Sequence, residues 1–400
     1  MVERVFKGSY AMKLLIFEWA AGTYTYNDIA ETLDVMGISH RTVSYQFEDK
    51  NEDEFFVYRF GQVLEDDSYD AVFSVNYFPL VAKCCNERSI KYISWSYDNP
   101  LDVPDIEKTL GLPANHVFLF DRIQTEGYRK KGFTNVHHMP LAINCSRLDR
   151  IKATKREADL YASDISFVGK MYDSMFEQYR GLMNDFCRGY TDALVAAQSK
   201  VYGYYFVDEM LTDQFMDDIN AHFRQLKSDT EFTLDRLALS YAIAAQITRN
   251  ERLIILNILA KRMKVNVYSW SRCDLLQNVH YMGSADYYEQ MPKIFKESKI
   301  NLNITLKILQ SGIPLRVMDI LGAGGFLLTN YQPEIAEHFI DGTDVVMYES
   351  IEDAVEKALY YINNDDKRRM IARNGHDKTA QLFSYDKQLG EILRTAGLIS

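Results

Sequence analysis

The sequence runs to 400 residues, more than one hydrophobic core usually serves, and this predicts two domains. Hydrophobic residues make up 47% of it and charged residues 25%, which excludes a largely disordered chain. Its 56 acidic and 45 basic side chains leave a net charge of -11, whereas a nucleic-acid binder needs a basic surface to displace counterions.

Cys84, Cys85, Cys145, Cys187 and Cys273 show no C-x-x-C spacing, so they read as scattered thiols of a reducing compartment, with no metal site among them. Residues 1–11 lack the apolar run of a signal peptide. The apolar stretches 237–245 and 253–260 are short and separated by polar side chains, among them Arg249, Glu251 and Arg252. The expectation is a cytoplasmic protein with no membrane span.

In chain order, residues 13–18 (KLLIFE) predict a strand that leads through Gly22, Thr23 and Tyr24 into a helix over 27–36. Residues 40–47 alternate as a second strand. Residues 54–64 read as a helix, 69–75 (YDAVFSV) as a strand and 79–86 as a helix, with further strands at 91–96, 117–120 and 135–139. Six strands with helical crossovers make a doubly wound parallel sheet, a Rossmann-like domain over 1–150. It lacks G-x-G-x-x-G after its first strand, and no P-loop occurs in the chain, so any phosphate is held elsewhere. Residues 141–159, polar and basic, read as an interdomain linker.

A second α/β domain is predicted over 151–383, opening on Ile165-Ser-Phe-Val-Gly169-Lys170 and continuing with about ninety residues of helical pattern. Met171, Met175, Phe176, Tyr179, Leu182, Met183 and Phe186 fall on one face at helical spacing and read as core. Strands follow at 265–270, 299–304, 325–329 and 344–348, with helices at 314–321, 334–340 and 351–362. Ser350 and Asp353 have capping-box spacing at the last of these. A further helical stretch after Asp365 completes the domain, and residues 384–400 form a C-terminal helix.

The most informative stretch runs from Ser311 to Asn330. It follows a strand and opens a helix at Pro314, whose first turn presents unpaired N–H groups and a positive dipole end, a setting that suits a diphosphate. Gly312, Ile313, Pro314 and Leu315 form that turn. Arg316 adds a charged fork, and Asp319, three residues on, lies on the same face. The same spacing also allows a plain Arg–Asp surface pair.

The order Arg316-x-x-Asp319, Gly322-Ala-Gly-Gly325, Phe326-Leu-Leu-Thr-Asn330 resembles the CgeB-like spore-maturation glycosyltransferases and, more distantly, the large retaining GT-B families. Val279-His-Tyr-Met-Gly283-Ser-Ala-Asp-Tyr287, Asn301-Leu-Asn303-Ile, Ile93-Ser-Trp-Ser-Tyr-Asp98-Asn-Pro100 and His138-Met-Pro140-Leu-Ala extend the resemblance over nearly the whole chain. Asp319 departs from it, since Glu is usual there.

The resemblance implies a GT-B architecture of two Rossmann-like domains facing a central cleft. It implies a glycosyltransferase that uses a nucleotide-sugar donor, with UDP as the expected carrier. Gly169, Lys170, Trp270, Gly283, Asn303 and the 312–319 turn are expected on the donor. Asp98 and His138 are the catalytic candidates, and Gly22, Thr23 and Tyr24 the acceptor side. The acceptor stays open between a polysaccharide, a protein and a small molecule. No cofactor or metal is expected: GT-A enzymes hold a divalent ion with Asp-x-Asp, a motif this sequence lacks, while GT-B enzymes use helix dipoles and basic side chains. A binding relative without turnover, or an epimerase or phosphorylase on the same architecture, are the other readings, since a fold does not fix a reaction.

Overall fold

In the computed structural model, residues 2–6, 12–19, 25–47, 49–101, 103–226 and 233–399 are described. The chain divides into two units, Met1–Asn144 with Thr379–Ser400, and Cys145–Lys378.

The first unit is built on seven strands: β1 (Val2–Phe6), β2 (Lys13–Trp19), β3 (Ser39–Tyr45), β4 (Ala71–Val75), β5 (Lys91–Ser96), β6 (Asn115–Leu119) and β7 (Val136–His138). They lie in the order β1-β3-β2-β4-β5-β6-β7. Every pairing is parallel except that of β1 with β3. β1 joins the six predicted strands as an edge; VERVF carries two charges in five residues and no apolar run. Buried throughout, the AVFSV of β4 is the continuous apolar run that a parallel strand covered on both faces requires.

One side of this sheet is filled by Phe17, Phe47, Phe56, Phe60 and Phe78, with centroids of Phe47 and Phe56 4.6 Å apart and of Phe17 and Phe78 5.2 Å apart. The helix Glu54–Glu65 brings two of these rings in, and Asp53 caps it by accepting from the Phe56 amide at 2.8 Å.

The C-terminal helix Tyr385–Thr395 belongs to this same unit. It buries Leu389, Ile392 and Leu393. The Lys91 ammonium donates to the Ala396 carbonyl at 2.6 Å, and the Ile143 amide to the Phe383 carbonyl at 2.9 Å.

The second unit carries β8 (Ser163–Val168), β9 (Val265–Tyr268), β10 (His280–Gly283), β11 (Ser298–Asn303), β12 (Leu327–Asn330) and β13 (Val346–Tyr348). All are parallel, in the order β10-β9-β8-β11-β12-β13. Counted within the unit this is 3-2-1-4-5-6, a doubly wound sheet whose order reverses between β8 and β11.

Two expectations change here. The predicted linker holds the helices Cys145–Arg150 and Lys155–Tyr161, the second started by a full capping box of Thr154 and Glu157. The apolar stripe from Met171 to Phe186 is not one face, because the helix Phe176–Leu182 stops at an extended Met183 and Asn184 caps a new helix, Asp185–Gln198. Phe176 and Met183 are buried, whereas Leu182 and Phe186 face solvent. Among the described residues no helix is long and apolar enough to cross a membrane.

Candidate functional site

In an open α/β sheet ligands bind outside the carboxyl ends of the strands where the order reverses. In the second unit that point lies beyond Val168 of β8 and Asn303 of β11, and one buried side chain holds both loops. Arg252, from the helix Arg236–Leu259, donates through its two terminal nitrogens to the carbonyls of Lys170 and Ile304. Its guanidinium lies 4.7 Å from the Tyr172 ring centroid and 5.1 Å from that of Phe167. Burial pushes its pKa down, yet a guanidinium keeps its charge in proteins.

The neighbouring turn of the same helix supplies a second tie. Glu251 and Lys307, 4% and 7% exposed, pair at 3.0 Å. Glu251 also accepts from the hydroxyls of Tyr348 at 2.9 Å and Tyr202 at 3.2 Å, and the Lys307 amide donates to Thr248 Oγ1 at 3.0 Å. Burial lowers the pKa of Lys307 and the Glu251 carboxylate opposes it. Two buried cations and one buried carboxylate therefore lie along this end of the sheet, Arg252 at the reversal point and the Lys307–Glu251 pair toward Tyr348 of β13, a net positive charge in a place of weak screening.

Gly169 follows β8 and donates its amide to the Tyr268 carbonyl at 3.0 Å; a Cβ there would lie 3.3 Å from the Phe167 ring. Lys170 follows it. Asn303 is buried, and its amide donates to Thr305 Oγ1 and Thr329 Oγ1 at 3.0 and 2.9 Å, so its side chain ties β11 to β12. Trp270, two residues beyond β9, is 77% exposed. Gly283 ends β10 with φ +78 and no atom within 4 Å of a would-be Cβ, which leaves open space that an L side chain could enter only with strain.

The helix after the donor turn runs Leu315–Gly322, one residue later than predicted at its start, with Pro314 as its cap residue at φ -69. Gly312 and Ile313 are buried ahead of it. Arg316 and Asp319 do meet: the guanidinium donates to Asp319 Oδ2 at 3.0 Å and also lies 2.9 Å from Met291 Sδ. The other carboxylate oxygen accepts from the Tyr287 hydroxyl at 2.9 Å, and Asp319 is 6% exposed. The pair is thus a mostly buried, three-membered link and not a surface contact.

In the first unit, Asp98 Oδ2 accepts from the Asn76 side-chain amide at 2.7 Å, and Asn76 Oδ1 accepts from the Tyr97 and Asp98 amides at 2.7 and 3.2 Å. Asn76 does this from a left-handed backbone, φ 66, directly after β4. Trp19, Lys50, Asn76 and Asp98 line one small cavity at the carboxyl end of this sheet, where its order reverses between β2 and β4. His138 ends β7, and β6 lies between that strand and β5, so the two strands are about 10 Å apart. Gly22, Thr23 and Tyr24 lie outside the described residues.

Residues 242–394 match a protein-family model described as glycosyl transferase-like. Over 97% of this chain and 98% of the other, the fold is similar to that of a glycosyltransferase from Rickettsia africae ESF-5, with 10% identity and a TM-score of 0.55. The chain has the GT-B fold. HepE from Anabaena, solved in complex with UDP-glucose, is similar at 9% identity and a TM-score of 0.57, covering 97% of this chain and 100% of that one. Sucrose-phosphate synthase from Thermosynechococcus elongatus is similar at 10% identity and 0.52, with the same coverage. No curated protein matches the chain.

The family match takes in Arg252, Lys307 and the whole 312–330 stretch. Sequence reasoning passed over Glu251, Arg252 and Lys307. The available signal was weak, since Glu251 and Arg252 close the polar stretch 246–252 between two apolar runs and nothing in the sequence marks them as buried.

Proposed function

We propose that this GT-B protein is a glycosyltransferase that takes a sugar from a nucleoside-diphosphate sugar, a UDP-sugar first among them, and releases the nucleoside diphosphate, without a metal ion. The observation that carries this is the reversal point of the second sheet, where buried Arg252 and Lys307 leave a net positive charge beneath the β8 and β11 loops. A diphosphate is the ligand such a site complements, and the helix beginning at Leu315 adds its positive end. HepE, similar in fold, binds UDP-glucose. The motif order favours the CgeB-like branch, the scattered thiols a reducing, cytoplasmic setting, and the acceptor stays open between a polysaccharide, a protein and a small molecule.

On this reading the second unit grips the donor and Asp98 of the first serves the acceptor hydroxyl, as base or hydrogen-bond partner, with Asn76 holding its carboxylate in place. Transfer then depends on electrostatic stabilisation of the leaving diphosphate by Arg316 and the buried cations. UDP is expected to raise the melting temperature of the protein in the presence of EDTA, because a ligand that binds only the native state stabilises it. A shift that EDTA abolishes refutes the metal-free part, and no shift with any nucleoside diphosphate refutes the whole.

A second reading, a nucleotide-binding relative without turnover, has one observation in its favour. Both oxygens of Asp319 already accept hydrogen bonds, from Tyr287 and Arg316. Release of UDP from UDP-sugars by the purified protein decides between the two: binding without release identifies the binder.

A further inference from the structure

The second unit contains a larger concavity that the donor reading does not use. It has a volume of about 580 Å³, within the range of pockets that hold small molecules, and lies where β11 begins and not where it ends. Ser298 and Lys299, the first residues of β11, are in its wall, so the length of that strand, about 16 Å, separates it from Asn303 and the crevice. The stretch Gly324–Phe326 just ahead of β12 lines it as well. Gly324 has φ +77, and a Cβ there would meet only His376, at 4.0 Å, so the floor is left bare.

Its charge runs against that of the chain. Lys296, Lys299, Arg368, Arg369 and Arg373 line it against Asp149, Glu297 and Asp365, five cations to three carboxylates in a protein of net charge -11. Part of this charge is already engaged. Arg368 is buried on the carbonyls of Tyr361 and Ile362 and on Asp365. Lys296 donates to the carbonyls of Leu148 and Ile151, Lys299 pairs with Asp164 at 2.9 Å, and His376 faces Asp149 at 3.1 Å.

Two arginines remain. Arg369 is 79% exposed and 3.9 Å from Asp365 at its nearest. Arg373, one turn further along the helix Asp365–Leu382, is exposed and has no partner among the described residues. Spaced i and i+4, they stand on one face of that helix, above a concave wall.

We propose that this concavity binds a small phosphate-bearing ligand, held by Arg369 and Arg373 with Lys299 beside them, at a site separate from the donor crevice. Planar guanidinium forks match phosphate oxygens in pairs, and the concave shape with its bare glycine floor suits a compact ligand rather than a nucleic-acid backbone.

The test is calorimetric titration of the full-length protein with sodium pyrophosphate at fixed ionic strength, with and without saturating UDP. Pyrophosphate is expected to bind in both conditions, and with saturating UDP, which excludes it from the donor crevice, Arg369→Ala with Arg373→Ala is expected to weaken it roughly tenfold or more, the scale of a lost hydrogen bond to a charged group. Both side chains are exposed, so the double variant retains its fold. Unchanged affinity in that variant, loss of pyrophosphate binding when UDP is present, or no binding at all overturns the proposal. The double variant reports on this site whether or not UDP binds, so its outcome is distinct from that of the donor reading.

Discussion

Arg252 has no carboxylate partner among the described residues, yet its side chain ties the β8 loop to the β11 loop. Removing it leaves two carbonyls without their donor, so Arg252→Ala should cost about 3 kcal/mol in urea unfolding. Arg252→Lys should recover part of that, since an ammonium keeps the charge but not the two-pronged reach. A loss below about 0.5 kcal/mol in the alanine variant, the range of ordinary surface substitutions, would show that the loops hold themselves. Arg316 has a different signature. If it meets the diphosphate, Arg316→Ala weakens UDP binding by roughly 1.5–3 kcal/mol; a folded variant with unchanged affinity removes it from the donor. Asp98 belongs to the first unit, so Asp98→Asn is expected to leave UDP affinity intact while sugar transfer falls. Normal transfer by that variant turns attention to His138.

Among the elements, the edge formed by β6 and β7 carries a response to acid. Burial, with help from Arg129 and His116, lowers the pKa of His137 from 6.5 to about 4. The unfolded chain therefore takes up the proton first. The contribution of His137 to stability is complete above about pH 6.5 and is lost as the pH falls towards 4. His116, also lowered by burial, adds in the same direction. His137→Phe keeps a ring against Phe118, 5.2 Å away in the present structure, and should flatten the fall in urea midpoint between pH 7 and 4.5; an unaltered slope assigns the response elsewhere. The elements differed in how plainly the sequence announces them. The LLIF and AVFSV runs read as strands because the middle of a strand covered on both faces is predominantly apolar. HYMG of β10 is half-exposed and four residues long, and its sequence has no period to detect. The helices within 145–161 were masked by their charge, although Thr154 and Glu157 spell out the capping box that starts one of them. In the site, the i and i+3 spacing of Arg316 and Asp319 is visible from the chain alone. The clamp of Arg252 is not, because its partners are backbone carbonyls, which every sequence has.

At the scale of the molecule, each unit has a core of its own, centred on Phe17 and Phe56 in the first, and on Ile165 and Leu302 with a helical cluster around Leu239 in the second. Separate cores predict separable unfolding steps in calorimetry, and a ligand of the donor crevice should move the transition of the second unit. If UDP shifts neither step, the crevice is not its site. Deleting residues 384–400 should lower the other step, since the helix Tyr385–Thr395 covers the first unit with Leu389, Ile392 and Leu393, each worth about 1.5–3 kcal/mol when buried. That arrangement also bears on how the protein is made. Synthesis runs from the N-terminus, and domains tend to fold as they leave the ribosome. The first 144 residues emerge long before the segment that completes them, whereas 145–378 form an uninterrupted stretch. The unit begun first is thus completed after the other, and a nascent chain stalled short of residue 385 lacks the helix whose Leu389, Ile392 and Leu393 are buried in it.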